Sequence, residues 1–123
     1  MIGYTTIGVS DMDKAKQFYG ELLSGVGAKL GMDMGRIAFF SAGRGKPMLA
    51  ICKPYNNEPA APGNGNMVAL ECDSREKISQ LHAKAIELGG SCEGKPGERI
   101  KDTFYGAYVR DPDGNKLAFF QFA

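Results

Sequence analysis

The feature that most constrains this fold is an order of elements that occurs twice along the chain. Asp11 and Asp73 each stand where a short strand pattern gives way to a helical pattern, about half the chain length apart. Both helical patterns end in glycines. A repeat of this length points to two copies of one supersecondary unit. The two copies share the order of their elements and the glycines that end their helices, but not their amino-acid sequence. An unrelated α+β sandwich is therefore the competing interpretation.

The first copy begins with a short β-branched strand at 4–9. Ser10 or Asp11 then caps a helix, because either side chain accepts a bond from the free amides of the first turn. The helix carries one apolar stripe with spacings of three and four residues, formed by Ala15, Phe18, Tyr19, Leu22 and Leu23. Glycine-punctuated strands are predicted at 26–30, 36–41 and 47–53.

The second copy repeats this pattern with a strand at 66–72 and a helix capped by Asp73 or Ser74. The helix stripe consists of Ile78, Leu81, Ala85, Ile86 and Leu88. Further strands are predicted at 91–93, 103–110 and 116–122, the last two joined by an Asp-Pro-Asp-Gly turn. We therefore predict an α+β fold in one domain, 1–123, with module one at about 1–53, a linker at about 54–64 and module two at about 65–123.

Composition excludes several classes of function. The 15 Lys and Arg residues nearly balance 14 Asp and Glu residues, so no basic face for nucleic acid or anionic lipid is expected. The three cysteines form no CxxC pair, which argues against a zinc knuckle or a redox pair. The N-terminal sequence has no signal-peptide pattern, and no apolar run reaches the roughly 20 residues of a membrane helix. A cytoplasmic location without a membrane partner is the resulting prediction.

Three segments carry a family resemblance: IGVSDMDKAKQFYGELLSGVGAKL, MVALECDSREKISQLHAKAIELGGS and YGAYVRDPDGNKLAFFQF. Together they resemble the vicinal oxygen chelate superfamily, also called the glyoxalase/bleomycin-resistance/dioxygenase family. The most specific pieces are the strand–Asp–helix–FY element and the DPDGN turn with its closing strand. The resemblance implies two tandem βαβββ modules whose sheets form a half-open barrel around a cleft, with helices outside, and it implies a homodimer.

The resemblance also implies a divalent metal held by His and Glu from the first and last strands of each module. The matching positions here are Tyr4, Ile51, Met67 and Ala118. None of these side chains is a normal ligand for a hard or borderline cation. Allowing a one-residue slip of register adds only Cys52 as a plausible donor. We therefore predict neither a metal nor another cofactor, and we expect His82, on the second helix, to have no catalytic role.

The strand period of two predicts which side chains line the cleft. These are Tyr4, Thr6, Ile51, Lys53, Met67, Ala69, Glu71, Tyr108, Ala118 and Phe120, with Tyr105 as an alternative to Tyr108 and with Lys116 and Phe122 as further candidates. The residues expected under the helices are Ile7, Val9, Val68, Leu70, Leu117 and Phe119. This apolar and aromatic lining suits a small apolar or aromatic organic molecule. In the competing interpretation these side chains only fill the space of a former metal site.

Two classes of function follow from such a cleft. The favoured one is a binding module for a small organic compound; the nearly neutral charge argues against cationic bleomycin itself. The alternative is a metal-independent lyase, isomerase or hydrolase that uses Tyr4, Glu71 or Lys53, with Glu71 as the candidate base. A metal-dependent lactoylglutathione lyase or dioxygenase is disfavoured by the four ligand positions. Whether a reaction is catalysed is left open.

Overall fold

Two strand–helix–strand–strand–strand modules follow one another, and the computed structural model describes all residues from 1 to 123. The elements are β1 (Tyr4–Gly8), α1 (Met12–Ser24), β2 (Lys29–Asp33), β3 (Ile37–Ser41), β4 (Met48–Cys52), β5 (Val68–Glu71), α2 (Arg75–Glu87), β6 (Ser91–Ile100), β7 (Phe104–Arg110) and β8 (Lys116–Phe122). Contacts divide the chain into two compact units, Met1–Pro62 and Gly63–Ala123. The predicted α+β class with two βαβββ modules is confirmed. Neither helix is long and apolar enough to cross a membrane.

Helix α1 begins where its sequence provides a cap. The backbone of Asp11 is extended, and its carboxylate accepts a hydrogen bond of 3.1 Å from the backbone N–H of Lys14. The predicted apolar stripe is confirmed as the buried face of the helix, with Ala15, Phe18, Tyr19, Leu22 and Leu23. Because each large apolar side chain that is buried contributes roughly 1.5–3 kcal/mol, this stripe decides which way the helix faces.

The sheet of the first unit has the strand order β1-β4-β3-β2, with β1 parallel to β4 and the other pairs antiparallel. One face packs against α1, as the 6.4 Å between the ring centroids of Tyr19 and Phe40 shows. We call this the helix-covered face and the opposite one the helix-free face. Register places Leu49 beside Phe40 on the helix-covered face, since paired residues point to the same side.

The second unit repeats this arrangement with the order β5-β8-β7-β6. Helix α2 is capped by Ser74, whose hydroxyl accepts a 3.1 Å bond from the N–H of Lys77. Its buried face consists of Ile78, Leu81 and Ala85, whereas Ile86 is exposed and Leu88 half-buried. Ile86 was wrongly predicted in the stripe, because it lies about 100° around the helix from Ala85. Leu117 and Phe119 are fully buried, and register pairs them with Val68 and Leu70.

Two strands differ from the sequence prediction. The predicted strand at 26–30 is displaced to β2 at Lys29–Asp33, because the chain first leaves α1 through Gly27, which has a φ of 79°. The predicted short strand at 91–93 extends to Ile100. Its Gly and Pro residues are typical of loops, but they are tolerated here because β6 is an irregular edge strand with several register shifts.

The Asp-Pro-Asp-Gly turn between β7 and β8 is organised by the buried carboxylate of Asp111, which is 4% exposed. It accepts hydrogen bonds from the backbone N–H groups of Asp113, at 2.9 Å, and Asn115, at 2.8 Å. The Asn115 side-chain amide donates a third bond of 2.9 Å. Gly114 completes the turn with a φ of 89°. These contacts fix the residue at which β8 begins.

Candidate functional site

The helix-free face of the first sheet brings together aromatic and small side chains. Register pairs Tyr4 with Met48 and Thr6 with Ala50, and Phe39 lies opposite Ala50 on the next strand. The Tyr4 ring meets the Phe39 ring edge-on, with 5.1 Å between centroids. Tyr4 is 55% exposed and Thr6 is exposed. Tyr4 and Thr6 are therefore on one face of β1, and both are accessible in this unit.

Ile51 was predicted on this same face, and that placement is wrong. Register pairs Ile51 with Ile7, which belongs to the opposite set of β1 residues, and Ile51 is 0% exposed. Because strand side chains alternate, the β4 residues on the face of Tyr4 are Met48, Ala50 and Cys52. Lys53 lies beyond the end of β4, is exposed, and accepts a bond from the Arg36 guanidinium through its carbonyl oxygen.

On the second sheet the register matches the predicted alternation. Ala69 pairs with Ala118, which pairs in turn with Tyr108, and Glu71 pairs with Phe120. All five residues therefore lie on the helix-free face. Ala118 is fully buried among its neighbours, whereas Ala69 and Glu71 are exposed. Met67 directly precedes β5 and is 45% exposed.

An aromatic cluster occupies one end of this face, and it consists of Phe104, Phe120 and Phe122. The rings of Phe104 and Phe120 are stacked, with centroids 5.5 Å apart, and Phe122 meets both edge-on at 5.3 Å. A Cβ at Gly106 would lie 2.9 Å from Cε1 of Phe104, so this glycine makes room for the ring. Phe122, 60% exposed, presents apolar surface to solvent.

Sequence reasoning missed Phe104. The alternative cleft residue Tyr105 instead lies beside α2, where the Arg75 guanidinium is 4.5 Å from its ring centroid. The signal that identifies Phe104 is its spacing, because Phe104, Gly106 and Tyr108 alternate on one side of β7.

The other end of the helix-free face is cationic. Arg99 and Lys116 each lie 5.3 Å from the ring centroid of Tyr108, and a Cβ at Gly94 would come within 2.8 Å of that ring. Arg110 donates a 2.5 Å bond to Glu93, which lowers the pKa of that carboxyl group. The carboxylate of Glu93 is therefore paired with Arg110. Of the two cations beside Tyr108, sequence reasoning named Lys116 as a candidate and missed Arg99.

The side chains at the expected ligand positions do not fit a divalent metal ion. Tyr4 and Met67 offer poor donors for such a cation, and Ile51 and Ala118 offer none. Ile51 also lies on the helix-covered face. No group of three or more His, Cys, Asp or Glu side chains is placed to hold a metal ion. His82, the one histidine, is half-buried on α2.

Comparisons with known proteins agree with this architecture. A model of the Glyoxalase/Bleomycin resistance protein/Dioxygenase superfamily matches residues 1–119. A solved glyoxalase/bleomycin resistance protein from Albidiferax ferrireducens T118 is 35% identical, with a TM-score of 0.89 over 98% of each chain. A hypothetical protein of S. aureus, SA1046, is 22% identical, with a TM-score of 0.76 over 98% of this chain and 92% of that chain.

A lactoylglutathione lyase from Agrobacterium tumefaciens is 23% identical, with a TM-score of 0.68 over 98% of this chain and 92% of that chain. At this identity the likeness concerns the fold alone. A search of curated protein sequences gives no match.

Proposed function

This chain belongs to the Glyoxalase/Bleomycin resistance protein/Dioxygenase superfamily, and on that premise we propose that it binds a small apolar or aromatic organic molecule without a metal ion. The observation that carries the proposal is the aromatic cluster on the helix-free face of the second sheet. Phe120 is stacked on Phe104 and half-buried, while Phe122 exposes most of its ring. A flat ligand is stabilised by edge or face contact with such rings.

The chemistry of this face also indicates how a ligand is oriented. The apolar part lies on Phe120 and Phe122, and a polar end reaches toward Tyr108, where Arg99 and Lys116 supply positive charge. A few convergent polar groups beside apolar surface are typical of small-molecule sites. Neutral and anionic aromatic compounds are therefore expected to bind better than cationic ones.

Binding is favoured over catalysis because Glu71, the candidate base, is exposed to solvent. It lies on the helix-free face beside Phe120, as a base would need to. However, Glu71 is exposed to solvent rather than buried in the apolar surroundings that make a carboxylate a better general base. The family match and the solved relatives support a common fold, and fold alone does not establish a reaction.

A fragment screen by NMR and thermal shift tests the proposal, using matched aromatic carboxylates, amides and amines. The expected result is saturable binding in which Phe122→Ala weakens affinity about fivefold, since one aromatic contact contributes on the order of 1 kcal/mol. Ile86→Ala is the matched control, because Ile86 is exposed on α2, away from this face. Binding that is insensitive to Phe122→Ala and Phe120→Ala contradicts the assignment of this face.

The metal-free part of the proposal has a separate test. Elemental analysis of protein purified without an affinity tag is expected to find no stoichiometric divalent metal, and EDTA is expected to leave ligand affinity unchanged. Stoichiometric nickel, zinc, iron or manganese would refute it. The homodimer and the cytoplasmic location stay predictions, and sedimentation equilibrium checks the first of them.

A further inference from the structure

A cysteine and the chain's one histidine lie side by side in the second unit. The Sγ atom of Cys92 is 3.2 Å from Nε2 of His82, which is within hydrogen-bonding range for sulfur. Register pairs Cys92 with Val109, so this pair lies on the helix-covered face and not on the face proposed for the ligand. Because β6 is the edge strand of its sheet, Cys92 is nevertheless exposed to solvent.

The imidazole of His82 is placed within hydrogen-bonding distance of the Cys92 thiol and can take up its proton. Burial and the positive charge of Lys95 lower the pKa of His82, which favours the neutral imidazole, the form that accepts a proton. A thiolate is the nucleophilic form of cysteine, and a nearby base is the usual means of generating it.

The other two cysteines lack this arrangement. Cys72 is buried, its Sγ is 3.7 Å from the carbonyl oxygen of Leu70, and burial raises its pKa to about 11. Cys52 is half-buried against the apolar cluster formed by Ile37, Phe39 and Ala50. Because the chain has a single histidine, only Cys92 combines exposure with an imidazole partner.

We propose that Cys92 and His82 form a nucleophilic site that is covalently modified by α,β-unsaturated carbonyl compounds. The thiol proton passes to Nε2 of His82 and Sγ forms a bond to the β-carbon of the electrophile. The π electrons of the carbon–carbon double bond move to the α-carbon and carbonyl as an enolate. The α-carbon then takes up a proton from the imidazolium through water, so the addition needs no oxidant or reductant.

Acrylamide is the probe, since it is an α,β-unsaturated amide that reacts slowly enough to follow. The intact chain is treated at pH 7, and modification of each cysteine is measured over time by peptide mass spectrometry. A free thiol is only a few per cent ionised at this pH, so activation is expected to make Cys92 react about tenfold faster than Cys92 in the urea-unfolded chain. Cys72 is expected to remain unmodified in the folded protein.

The decisive variant is His82→Gln, with Gln80→Ala as its control because Gln80 is an exposed residue of the same helix. His82→Gln is expected to remove the rate advantage of Cys92, while Gln80→Ala retains it. The comparison of folded and unfolded wild-type chain gives an independent readout if the variant does not fold. Equal rates for Cys92 in those two states, an unchanged rate in folded His82→Gln, or faster modification of Cys52 would each overturn the proposal.

Discussion

Removing the carboxylate of Asp111 should destabilise the second unit strongly, although the residue lies in a turn. Asp111→Ala deletes the acceptor of three hydrogen bonds. In this variant the backbone N–H and the side-chain amide of Asn115 lose the carboxylate that accepts their hydrogen bonds, and Asn115 is only 8% exposed. Removing the acceptor of a buried donor costs about 1–3 kcal/mol. The N–H of Asp113, in a half-buried residue, reaches water more easily and adds little. We therefore expect a loss of about 2–5 kcal/mol in the free energy of unfolding.

Urea unfolding followed by far-UV circular dichroism measures this loss. With a slope of about 2 kcal/mol per molar urea, the expected change lowers the midpoint by roughly 1–2.5 M. Asp111→Asn should give an intermediate loss, because one oxygen still accepts from the backbone while the new amide faces that of Asn115. Pro112→Ala is the control in the same turn: Pro112 is exposed, and its replacement should cost only about 0.4–1 kcal/mol. If Asp111→Ala costs no more than Pro112→Ala, the carboxylate does not organise this turn.

Three other predictions test the sites described above. Ile51→Ala should lower the free energy of unfolding by about 2–5 kcal/mol in urea titrations, but leave ligand affinity unchanged once the protein is folded, because Ile51 lies on the helix-covered face. Arg110→Met should raise the pKa of Glu93, measured by NMR titration. Because the pKa of Glu93 is lower in the folded chain than in the unfolded chain, where it is near 4.5, the ionised carboxylate stabilises the fold at pH values above 4.5. This contribution is lost as the pH falls through the lower pKa of the folded chain. A pKa of Glu93 that does not change in Arg110→Met would contradict the assignment. Gly106→Ala should displace the Phe104 ring and weaken aromatic ligands in the NMR screen, whereas Gly20→Ala, where a Cβ meets nothing within 4 Å, should not.

Sequence patterns correctly predicted the elements that are defined by local signals, such as a capping residue or an apolar stripe. The cap at Asp11 and the stripe of α1 define a helix without tertiary information, and both are confirmed. The limits of β6 were not predictable, since Gly94, Pro96 and Gly97 have low strand propensity and are accommodated only because β6 has a free edge. The pair formed by His82 and Cys92 was missed for a related reason. It depends on α2 packing across β6, which no local pattern reports.

The contrast between the two sheets shows how turn chemistry limits the prediction of a site. Around β8 the Asp111 turn fixes the register, and the predicted face of Ala118 and Phe120 is the observed one. Before β4 the chain passes through exposed residues 42–47, where two glycines leave the register undefined, and Ile51 was assigned to the wrong face. The conclusion about metal ligands survives this error because it does not depend on the register. Either choice of β4 residues offers at most one plausible ligand, the thiol of Cys52, which lies opposite Gly8. One thiol lacks the three protein ligands that a catalytic zinc site requires.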